Sequence, residues 1–482
     1  EETMEKYTVE PQWSMYDAVK KNLSGGTNRT AVSFYGRKLS FEKVFYLIDV
    51  LAENFAREYK LGAGDTITLC MPNAPSALLA FYAANKLGAA VNLAHPYLPP
   101  AKLLESAAKT KSKLLVVYDS YPAFGAPEDL AVLESDNSRF MGAAAKAYYR
   151  FTSKRRTARK KLESLFVRRA RGAFAPAAAF PCGKAAVCLA SGGYGLCINM
   201  HMCMMMRKTN IMCAKFSAKS AAKQIVKERA NILTGVPTMY LKLLGEKKFV
   251  NADLSHIKDA FVGGDSAGEE LISRFNEVLR RGGSPARLYE GYGLTETVTV
   301  CVVNTARHNK AGSIGYPLSD TKIAVVKDGN FLPAGEVGEI YLSTPQFMLG
   351  YLEDGADPFE EIGGVKWLKT GDYGYLDEDG FLFFKQRIKN MIKVSGVPVY
   401  PSEVEEAARQ VAGVKKACAV GVRDGVKGQR VKLYVEAEGN AEELAREIDR
   451  VCREKLISYA VPKEIVVREK LPVSLIGKID RK

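Results

Sequence analysis

The sequence repeatedly alternates short apolar runs with longer, helix-like stretches, and this alternation is the feature that most constrains its fold. Residues Thr66–Met71 form an apolar run that ends at Pro72 and Asn73, and the Ala-rich stretch Ala74–Leu87 closes at Gly88. A short apolar run bounded by turn residues predicts a buried strand, and the longer stretch predicts a helix. Because the alternation recurs along the chain, the sequence predicts βαβ units and a mainly parallel sheet.

Later segments first continue this pattern and then replace it. Further strands and helices are predicted at Ala89–Leu93, Pro99–Thr110, Lys113–Tyr118, Ala218–Ala230, Ile232–Gly235, Pro237–Leu244, Asp259–Val262 and Glu269–Arg281. Beyond Gly312, short β-rich pieces with Gly and Asp turns are predicted, such as Glu339–Leu342 and Phe381–Phe384. A smaller α/β module follows, with predicted elements at Ser402–Gln410, Ala417–Val422, Val431–Glu436 and Ala441–Lys455.

Length and composition exclude several classes of protein. A chain of 482 residues is too long for one small core and predicts about two to four packed units. Its hydrophobic content of 47% argues against disorder. The nine cysteines show no CxxC or CxxH spacing, and acids at Glu1, Glu2 and Glu5 stand where a signal peptide has basic residues. A disulfide scaffold and a structural zinc site are therefore disfavoured, and a cytoplasmic protein is expected.

The net charge of +15 is concentrated in one segment, Lys146–Arg171, which carries eleven basic residues and the single acid Glu163. Apolar residues are interleaved among them, at Leu162, Leu165, Phe166 and Val167. A solvated basic linker is the favoured interpretation, and peripheral contact with an anionic membrane is the alternative. Nucleic-acid binding is the least favoured interpretation. We therefore expect no nucleic-acid partner and keep membrane association of residues 146–171 as a hypothesis.

The strongest local motif is Glu290-Gly291-Tyr292-Gly293-Leu294-Thr295-Glu296. Its two glycines let the backbone approach a ligand closely. Tyr292 offers a flat face for a nucleobase, Thr295 offers a hydroxyl for phosphate, and Glu296 offers a hard oxygen ligand for Mg²⁺. Taken alone, the motif is equally well interpreted as a glycine turn before a strand.

Other motifs accompany it in a fixed order. Gly263-Gly264-Asp265-Ser266 precedes it, and Thr370-Gly371-Asp372 follows it. An acid beside a tight turn can hold the two hydroxyls of a ribose. The remaining motifs are Arg387-Ile388-Lys389, the stretch Ile392–Glu405 and the final Leu471–Lys478, in which Lys478 follows Gly477.

In this order the motifs resemble those of the adenylate-forming (AMP-binding) superfamily, and most closely those of bacterial long-chain fatty-acid–CoA ligases. The resemblance extends over nearly the whole chain. Further matching segments are Phe34–Phe41, Gly64-Asp65, Asn73, Lys86–Ala89, His95-Pro96, Gly235–Thr238, Gly312–Gly315 and Met348–Tyr351. It implies an α/β fold whose large N-terminal domain, residues 1–386, has stacked α/β subdomains and a small β-rich barrel-like part. A small mobile α+β C-terminal domain is implied for residues 387–482.

The resemblance also implies an activity. A carboxylic acid, here a fatty acid, attacks the α-phosphate of ATP to give an acyl-adenylate and pyrophosphate. The thiol of coenzyme A then displaces AMP. ATP, Mg²⁺ and coenzyme A are the implied co-substrates and cofactor. One site cannot present both a lysine and a thiol tunnel to the same atom at once, so a domain rotation between the two steps is expected.

Roles for individual residues follow from the same resemblance. Residues implied in nucleotide binding are Gly263, Gly264, Asp265, Glu290, Gly291, Tyr292 and Gly293, with Tyr292 stacked on the adenine, and Asp372 and Arg387 on the ribose. Thr295 is implied to touch phosphate, and Glu296 to hold Mg²⁺. Lys478 is implied to reach the α-phosphate and the carboxylate during adenylation. Lys389 corresponds to the hinge, and Gly396 and Lys393 lie on a loop implied to face coenzyme A.

One motif departs from the family pattern. Ser191, Gly192 and Gly193 resemble the first residues of the family's phosphate loop, but Tyr194-Gly195-Leu196 resembles the end of a later motif. The residues that normally separate the two are absent. Three explanations stay open: the natural chain carries a segment that this sequence lacks, which we favour; the gene has a true deletion; or Ser191–Leu196 is an ordinary glycine turn. An intact mass of the purified protein distinguishes the first explanation from the second.

The incomplete loop also keeps alternative functions open. Within the same class, the substrate is another acyl or aryl acid, or the acceptor is the thiol of a carrier protein. In a different class, the chain is a non-catalytic relative that binds a nucleotide or an acyl group. If the deletion is real, ATP binding is expected to be weakened, because backbone N–H groups that hold phosphates are lost.

Overall fold

The computed structural model describes residues 13–23, 27–118, 121–122, 124–127, 130–135, 184–187, 195–214, 216–351, 357–395, 397–424 and 428–472. The chain divides into two compact units, of which unit 1 comprises Glu1–Thr321 and Thr344–Ala356, and unit 2 comprises Lys322–Ser343 and Asp357–Lys482. The predicted domain boundary between residues 386 and 387 lies inside unit 2 and stays a prediction. The basic segment 146–171 lies outside the described residues.

Unit 1 contains two sheets. Its strands are β1 (Thr30–Phe34), β2 (Arg37–Ser40), β3 (Thr66–Cys70), β4 (Ala90–Leu93), β5 (Ser112–Tyr118), β6 (Ala131–Ser135), β7 (Lys184–Val187), β8 (Thr209–Met212), β9 (Ile232–Gly235), β10 (Asp259–Val262), β11 (Leu288–Gly293), β12 (Val300–Val303) and β13 (Tyr316–Pro317). The larger sheet has the order β13-β12-β11-β10-β9-β7-β8-β1-β2, and the smaller has the order β4-β3-β5-β6. The smaller sheet is parallel throughout, and the larger is parallel from β11 to β1.

Helices connect these strands in the βαβ manner. They are α1 (Met15–Lys21), α2 (Phe41–Glu58), α3 (Pro75–Leu87), α4 (Pro100–Lys109), α5 (Met202–Met205), α6 (Ala218–Lys227), α7 (Pro237–Leu244), α8 (Lys247–Val250) and α9 (Glu269–Arg281). A π-helical segment, Gly195–His201, precedes α5. Local sequence sets several of their ends. Ser40 caps α2 by accepting a hydrogen bond from the Lys43 N–H, and α3 starts at Pro75 and ends at Gly88, whose φ of 97° is left-handed.

Two hydrophobic cores of unit 1 meet at strand β8. Met212 packs in one core with β1, α2 and α3, whereas Ile211 and Cys213 pack in the other with α6, α7 and α9. Successive residues of a strand point to opposite faces of the sheet. The larger sheet is therefore covered on both faces, as a parallel sheet requires.

Unit 2 is mostly antiparallel. Its strands are β14 (Lys322–Lys327), β15 (Asn330–Phe331), β16 (Gly338–Ser343), β17 (Phe359–Ile362), β18 (Val365–Leu376), β19 (Leu382–Arg387), β20 (Ile392–Val394), β21 (Val397–Val399), β22 (Val414–Asp424), β23 (Gly428–Ala437) and β24 (Glu464–Arg468). One sheet has the order β15-β14-β16-β18-β17 with β19 also paired to β18, and the other has the order β21-β20-β23-β22 with β24 paired to β23. Helices α10 (Pro401–Arg409) and α11 (Ala441–Lys455) pack on the second sheet.

The architecture confirms the predicted fold class. Mainly parallel α/β layers come first, a small β-rich part follows, and a small α+β part comes last. Five predicted elements agree with the structure to the residue, namely Ile232–Gly235, Pro237–Leu244, Asp259–Val262, Glu269–Arg281 and Ala441–Lys455. Within the described residues, we find no helix with the length and apolar character needed to cross a membrane.

Candidate active site

The carboxyl ends of β9, β10 and β11 lie side by side at one edge of the larger sheet. The Gly263 N–H donates to the carbonyl of Gly235 over 3.1 Å, which holds the ends of β10 and β9 together. Beyond Gly263 the chain turns outward. Gly264 has a φ of +81°, and both Gly264 and Asp265 are exposed. Ligands of open α/β sheets bind at this edge, so the predicted residues 263–265 stand where a ligand is expected.

Glu290 is buried next to this turn. Its Oε1 accepts a hydrogen bond from the Ala267 N–H over 2.9 Å, and its backbone carbonyl accepts one from the Asn304 N–H, also over 2.9 Å. The pKa of the Glu290 carboxyl is raised to about 7, mainly by burial and also by the nearby charge of Asp265, while the Ala267 hydrogen bond opposes both effects. Glu290 therefore holds the backbone at Ala267, just after Asp265. The sequence did not predict this contact.

Gly291, Tyr292 and Gly293 lie within β11 and pair with β12, so the alternative of a glycine turn before a strand is wrong. A Cβ at Gly293 would lie 2.0 Å from the carbonyl oxygen of Thr299, a contact that no side chain tolerates. The close approach of a neighbouring strand therefore requires a glycine at position 293. The prediction had been that a ligand approaches closely here. Tyr292 is half-buried.

A tight turn between β11 and β12 presents Thr295 and Glu296. Thr297 is fully buried, and its hydroxyl accepts from the Leu294 N–H over 3.1 Å and lies 3.0 Å from the carbonyl of Thr299. The Val298 N–H donates to the Thr295 carbonyl over 2.9 Å. These bonds leave Thr295 exposed and Glu296 half-buried. No role for Thr297 was predicted, although a hydroxyl inside a turn can bond the backbone in this way.

Glu296 is also held by a segment distant in sequence. Its backbone carbonyl accepts from the Met348 N–H over 2.8 Å, and its Oε1 accepts from the Tyr351 hydroxyl over 2.7 Å. This hydrogen bond raises the pKa of Tyr351 to about 12. The half-buried carboxylate suits the Mg²⁺ of MgATP, which commonly takes one or two protein carboxylates alongside phosphate oxygens. Among the described residues, no group of three or more His, Cys, Asp and Glu side chains could hold a metal ion.

In unit 2, the structure brings Asp372 and Arg387 together. They are opposite each other on β18 and β19, and the Arg387 Nε lies 3.3 Å from the Asp372 Oδ1. Asp372 is fully buried, while Arg387 is 44% exposed. The predicted tight turn before Asp372 is not formed, because Thr370, Gly371 and Asp372 lie within β18, where the Gly371 N–H donates to Glu339 Oε1 over 3.0 Å. That both residues hold the ribose of the nucleotide stays a prediction.

The remaining predicted residues have different outcomes. Lys393 was expected on a loop with Gly396, but it lies in strand β20, where its N–H donates to Gln429 Oε1 over 2.8 Å. Lys389 lies in a short 3₁₀ turn, Ile388–Asn390, directly after β19. Gly396, Lys478 and the phosphate-loop residues Ser191, Gly192 and Gly193 lie outside the described residues.

The sequence was also compared with protein families. The AMP-binding enzyme profile matches residues 19–164 and 190–352. The chain belongs to the AMP-binding enzyme family. The profile of the AMP-binding enzyme C-terminal domain matches residues 403–478, so matches to both parts of the family are present, and the predicted family is confirmed.

Curated relatives of this AMP-binding enzyme include a long-chain-fatty-acid–CoA ligase of Bacillus subtilis (strain 168), 35% identical over 60% of this chain and 51% of the relative. A second relative, a long-chain-fatty-acid–CoA ligase of Salmonella typhimurium, is 38% identical over 54% of this chain and 46% of the relative. The AMP-binding enzyme thus spans about half the length of the curated relatives it matches.

Solved structures share the fold of this AMP-binding enzyme over nearly its whole length. The anthranilate CoA ligase AuaEII in complex with anthranoyl-AMP superposes with a TM-score of 0.77 at 20% identity, covering 98% of this chain and 96% of the other. O-succinylbenzoate coenzyme A synthetase from Bacillus subtilis in complex with ATP and magnesium ion gives 0.75 at 22% identity, covering 97% and 98%. At these identities, the likeness concerns the fold alone.

Proposed function

We propose that this AMP-binding enzyme activates a carboxylic acid with ATP and transfers the acyl group to the thiol of coenzyme A. The observation that carries the proposal is the turn after β11, where Thr295 is exposed and Glu296 is held by two hydrogen bonds, one to its backbone carbonyl and one to its carboxylate. A hydroxyl and an oriented carboxylate at the carboxyl edge of a parallel sheet suit the phosphates of MgATP.

In the proposed first step, a carboxylate oxygen of the acid attacks the α-phosphorus of ATP, and the bond to the bridging oxygen of pyrophosphate breaks. Tyr292 stacks on the adenine beside the backbone of residues 263–265. Thr295 contacts the phosphates, Glu296 binds the Mg²⁺ that arrives with ATP, and Lys478 stabilises the charge that grows on the α-phosphate. This assignment is supported by the exposure of Thr295, Gly264 and Asp265.

In the proposed second step, the thiolate of coenzyme A attacks the acyl carbonyl carbon, and AMP leaves with the electrons of the acyl–oxygen bond. Asp372 and Arg387 hold the ribose hydroxyls, and the buried Asp372 paired to a half-exposed arginine supports this role. Lys389 is the proposed hinge, and Gly396 and Lys393 the proposed contacts of coenzyme A. Lys393 is exposed on β20, which suits such a contact.

We infer that the acid is a long-chain fatty acid, because curated relatives at 35% and 38% identity are long-chain-fatty-acid–CoA ligases. A panel of fatty, aryl and short acids with ATP and Mg²⁺, assayed for pyrophosphate release with and without coenzyme A, tests this. Release with long-chain acids and consumption of coenzyme A are expected. Pyrophosphate release only with aryl acids would show that the substrate is an aryl acid instead. Release without consumption of coenzyme A would favour the thiol of a carrier protein as the acceptor. No release with any acid would favour a non-catalytic relative.

Replacing Lys478 by alanine is expected to slow adenylation about 100-fold, because a cation that stabilises transition-state charge is removed. Thioester formation from supplied acyl-adenylate should change little, because that step does not use the same charge. The two half-reactions are measured separately, and Lys470→Ala, which removes an exposed lysine of unit 2, is the control. Equal losses in both half-reactions would contradict the two-step division of roles.

A solvated linker is the favoured interpretation of the basic segment 146–171, and contact with anionic membranes is the alternative. If the segment contacts membranes, anionic vesicles at low salt should sediment with the protein, whereas neutral vesicles, or anionic ones at high salt, should not, because surface charge is screened by salt. Failure of anionic vesicles at low salt to bind the protein would identify the segment as a solvated linker.

A further inference from the structure

A single short segment holds both the backbone and the side chain of Glu296. The Met348 N–H donates to the Glu296 carbonyl over 2.8 Å, and three residues later the Tyr351 hydroxyl donates to Glu296 Oε1 over 2.7 Å. The segment is anchored upstream, where Gln346 Nε2 lies 3.4 Å from the Val300 carbonyl. The chain around residues 346–351 therefore runs along the turn that carries Thr295 and Glu296.

Burial alone does not fix the position of Tyr351. Tyr351 is 55% exposed and the neighbouring Leu349 is 91% exposed, so more than half of the surface of each residue stays in water. The hydrogen bond to Glu296 is the specific contact of the Tyr351 side chain.

The hydrogen bond from Tyr351 leaves part of the Glu296 carboxylate available to a cation. A carboxylate has two oxygens, and the tyrosine occupies Oε1, which leaves Oε2 to face a cation. Carboxylates that bind metal ions are commonly hydrogen-bonded by neighbouring residues, and loss of such a partner weakens metal binding or activity about 10-fold to 100-fold.

We propose that Tyr351 is a positioning residue that orients the Glu296 carboxylate toward the Mg²⁺ of MgATP. The inference rests on the proposed function, because Glu296 must be the residue that binds this cation. Tyr351 itself touches neither the cation nor the nucleotide. It limits the rotation of the carboxylate, so that less conformational freedom is lost when the cation binds.

The test is Tyr351→Phe, which keeps the ring and removes the hydroxyl. Binding of Mn²⁺, as a spectroscopic substitute for Mg²⁺, is measured by electron paramagnetic resonance with the full-length protein and an ATP analogue that has a non-cleavable α,β bond. We expect the affinity for Mn²⁺ in the ternary complex to fall about 10-fold. The affinity for the metal-free analogue and the thermal stability of the protein should stay unchanged. Tyr46→Phe, at a tyrosine that is 58% exposed on α2, is the matched control.

A second variant separates positioning from a structural effect. In a Glu296→Gln background, Tyr351→Phe should have no further effect on Mn²⁺ affinity, because the tyrosine acts through the carboxylate. Unchanged or tighter binding in the single variant would overturn the inference, and tighter binding would show that Tyr351 competes with the cation. If the wild-type protein binds the analogue without Mn²⁺ enhancement, the Glu296 assignment fails together with the inference. If it shows the enhancement and Tyr351→Phe equals wild type, the inference alone fails.

Discussion

Replacing Gly293 by alanine is expected to abolish ATP-dependent pyrophosphate release and to lower the free energy of unfolding by about 3 kcal/mol, at the upper end of typical overpacking costs. The added Cβ would lie 2.0 Å from the Thr299 carbonyl oxygen and 2.7 Å from Val300 Cα. Both are backbone atoms of the chain entering β12, so the neighbour cannot move aside by changing a rotamer. The end of β11 and β12 must separate, and the turn that carries Thr295 and Glu296 moves with them. Urea unfolding and the pyrophosphate assay measure the two effects.

Gly245→Ala is the matched control for this prediction. Gly245 has ordinary helical angles, with φ −84° and ψ −6°, and an added Cβ would meet its nearest atom, the Lys242 carbonyl oxygen, at 3.6 Å. This substitution should be neutral or should stabilise by up to about 1 kcal/mol, since alanine restricts the unfolded chain. Gly293→Ala with wild-type stability and activity would show that β12 shifts easily, and would contradict the steric argument.

Glu290→Gln is expected to remove a strong dependence of stability on pH. Burial raises the pKa of this carboxyl from 4.5 to about 7 in the folded protein, so the folded state holds the proton more tightly than the unfolded chain does. Its contribution to stability is present at low pH and is lost as the pH rises from 4.5 to about 7. Because one pKa unit corresponds to about 1.4 kcal/mol, the loss in the free energy of unfolding is up to about 3 kcal/mol. The neutral glutamine does not suffer it, and its amide oxygen can still accept the Ala267 hydrogen bond.

Chemical unfolding of wild type and variant at about pH 5 and about pH 8 measures this difference. The variant should gain stability relative to wild type between the two conditions. Glu269→Gln is the control, because Glu269 is exposed at the start of α9 and its replacement should shift stability by a similar small amount at both conditions. If the stability of wild type and of Glu290→Gln depends on pH in the same way, the raised pKa of the buried carboxyl is contradicted.

Much of the fold could be predicted because its elements are local. Strands β9 and β10 and helix α9 are bounded by Gly, Pro or capping residues, and each has a length that apolar periodicity specifies. The proximity of Asp372 and Arg387 could also be predicted, because β18 and β19 are consecutive strands and the two motifs lie close together in the sequence. The family followed from the order of several such local motifs.

The missed features depend on contacts between distant residues. Tyr351 reaches Glu296 across 55 positions, and no local pattern indicates that it should. The role of Gly293 depends on how closely β12 approaches, and a glycine in a motif is equally compatible with a ligand, a turn or a neighbouring strand. The resemblance placed Lys393 on a loop with Gly396, whereas strand β20 includes Lys393, whose N–H donates to the distant Gln429 Oε1.

The division of the chain into units has a consequence for dissecting the protein. The chain passes from unit 1 into unit 2 at residue 322, returns at 344 and leaves again at 357. Strand β16, before the return, pairs with β18, after it. Neither unit is therefore a continuous piece of the gene, and no single truncation yields both intact. A fragment that ends at residue 386 would include all of unit 1 together with an incomplete unit 2, so its solubility and binding would report on exposed sheet surface as well as on unit 1.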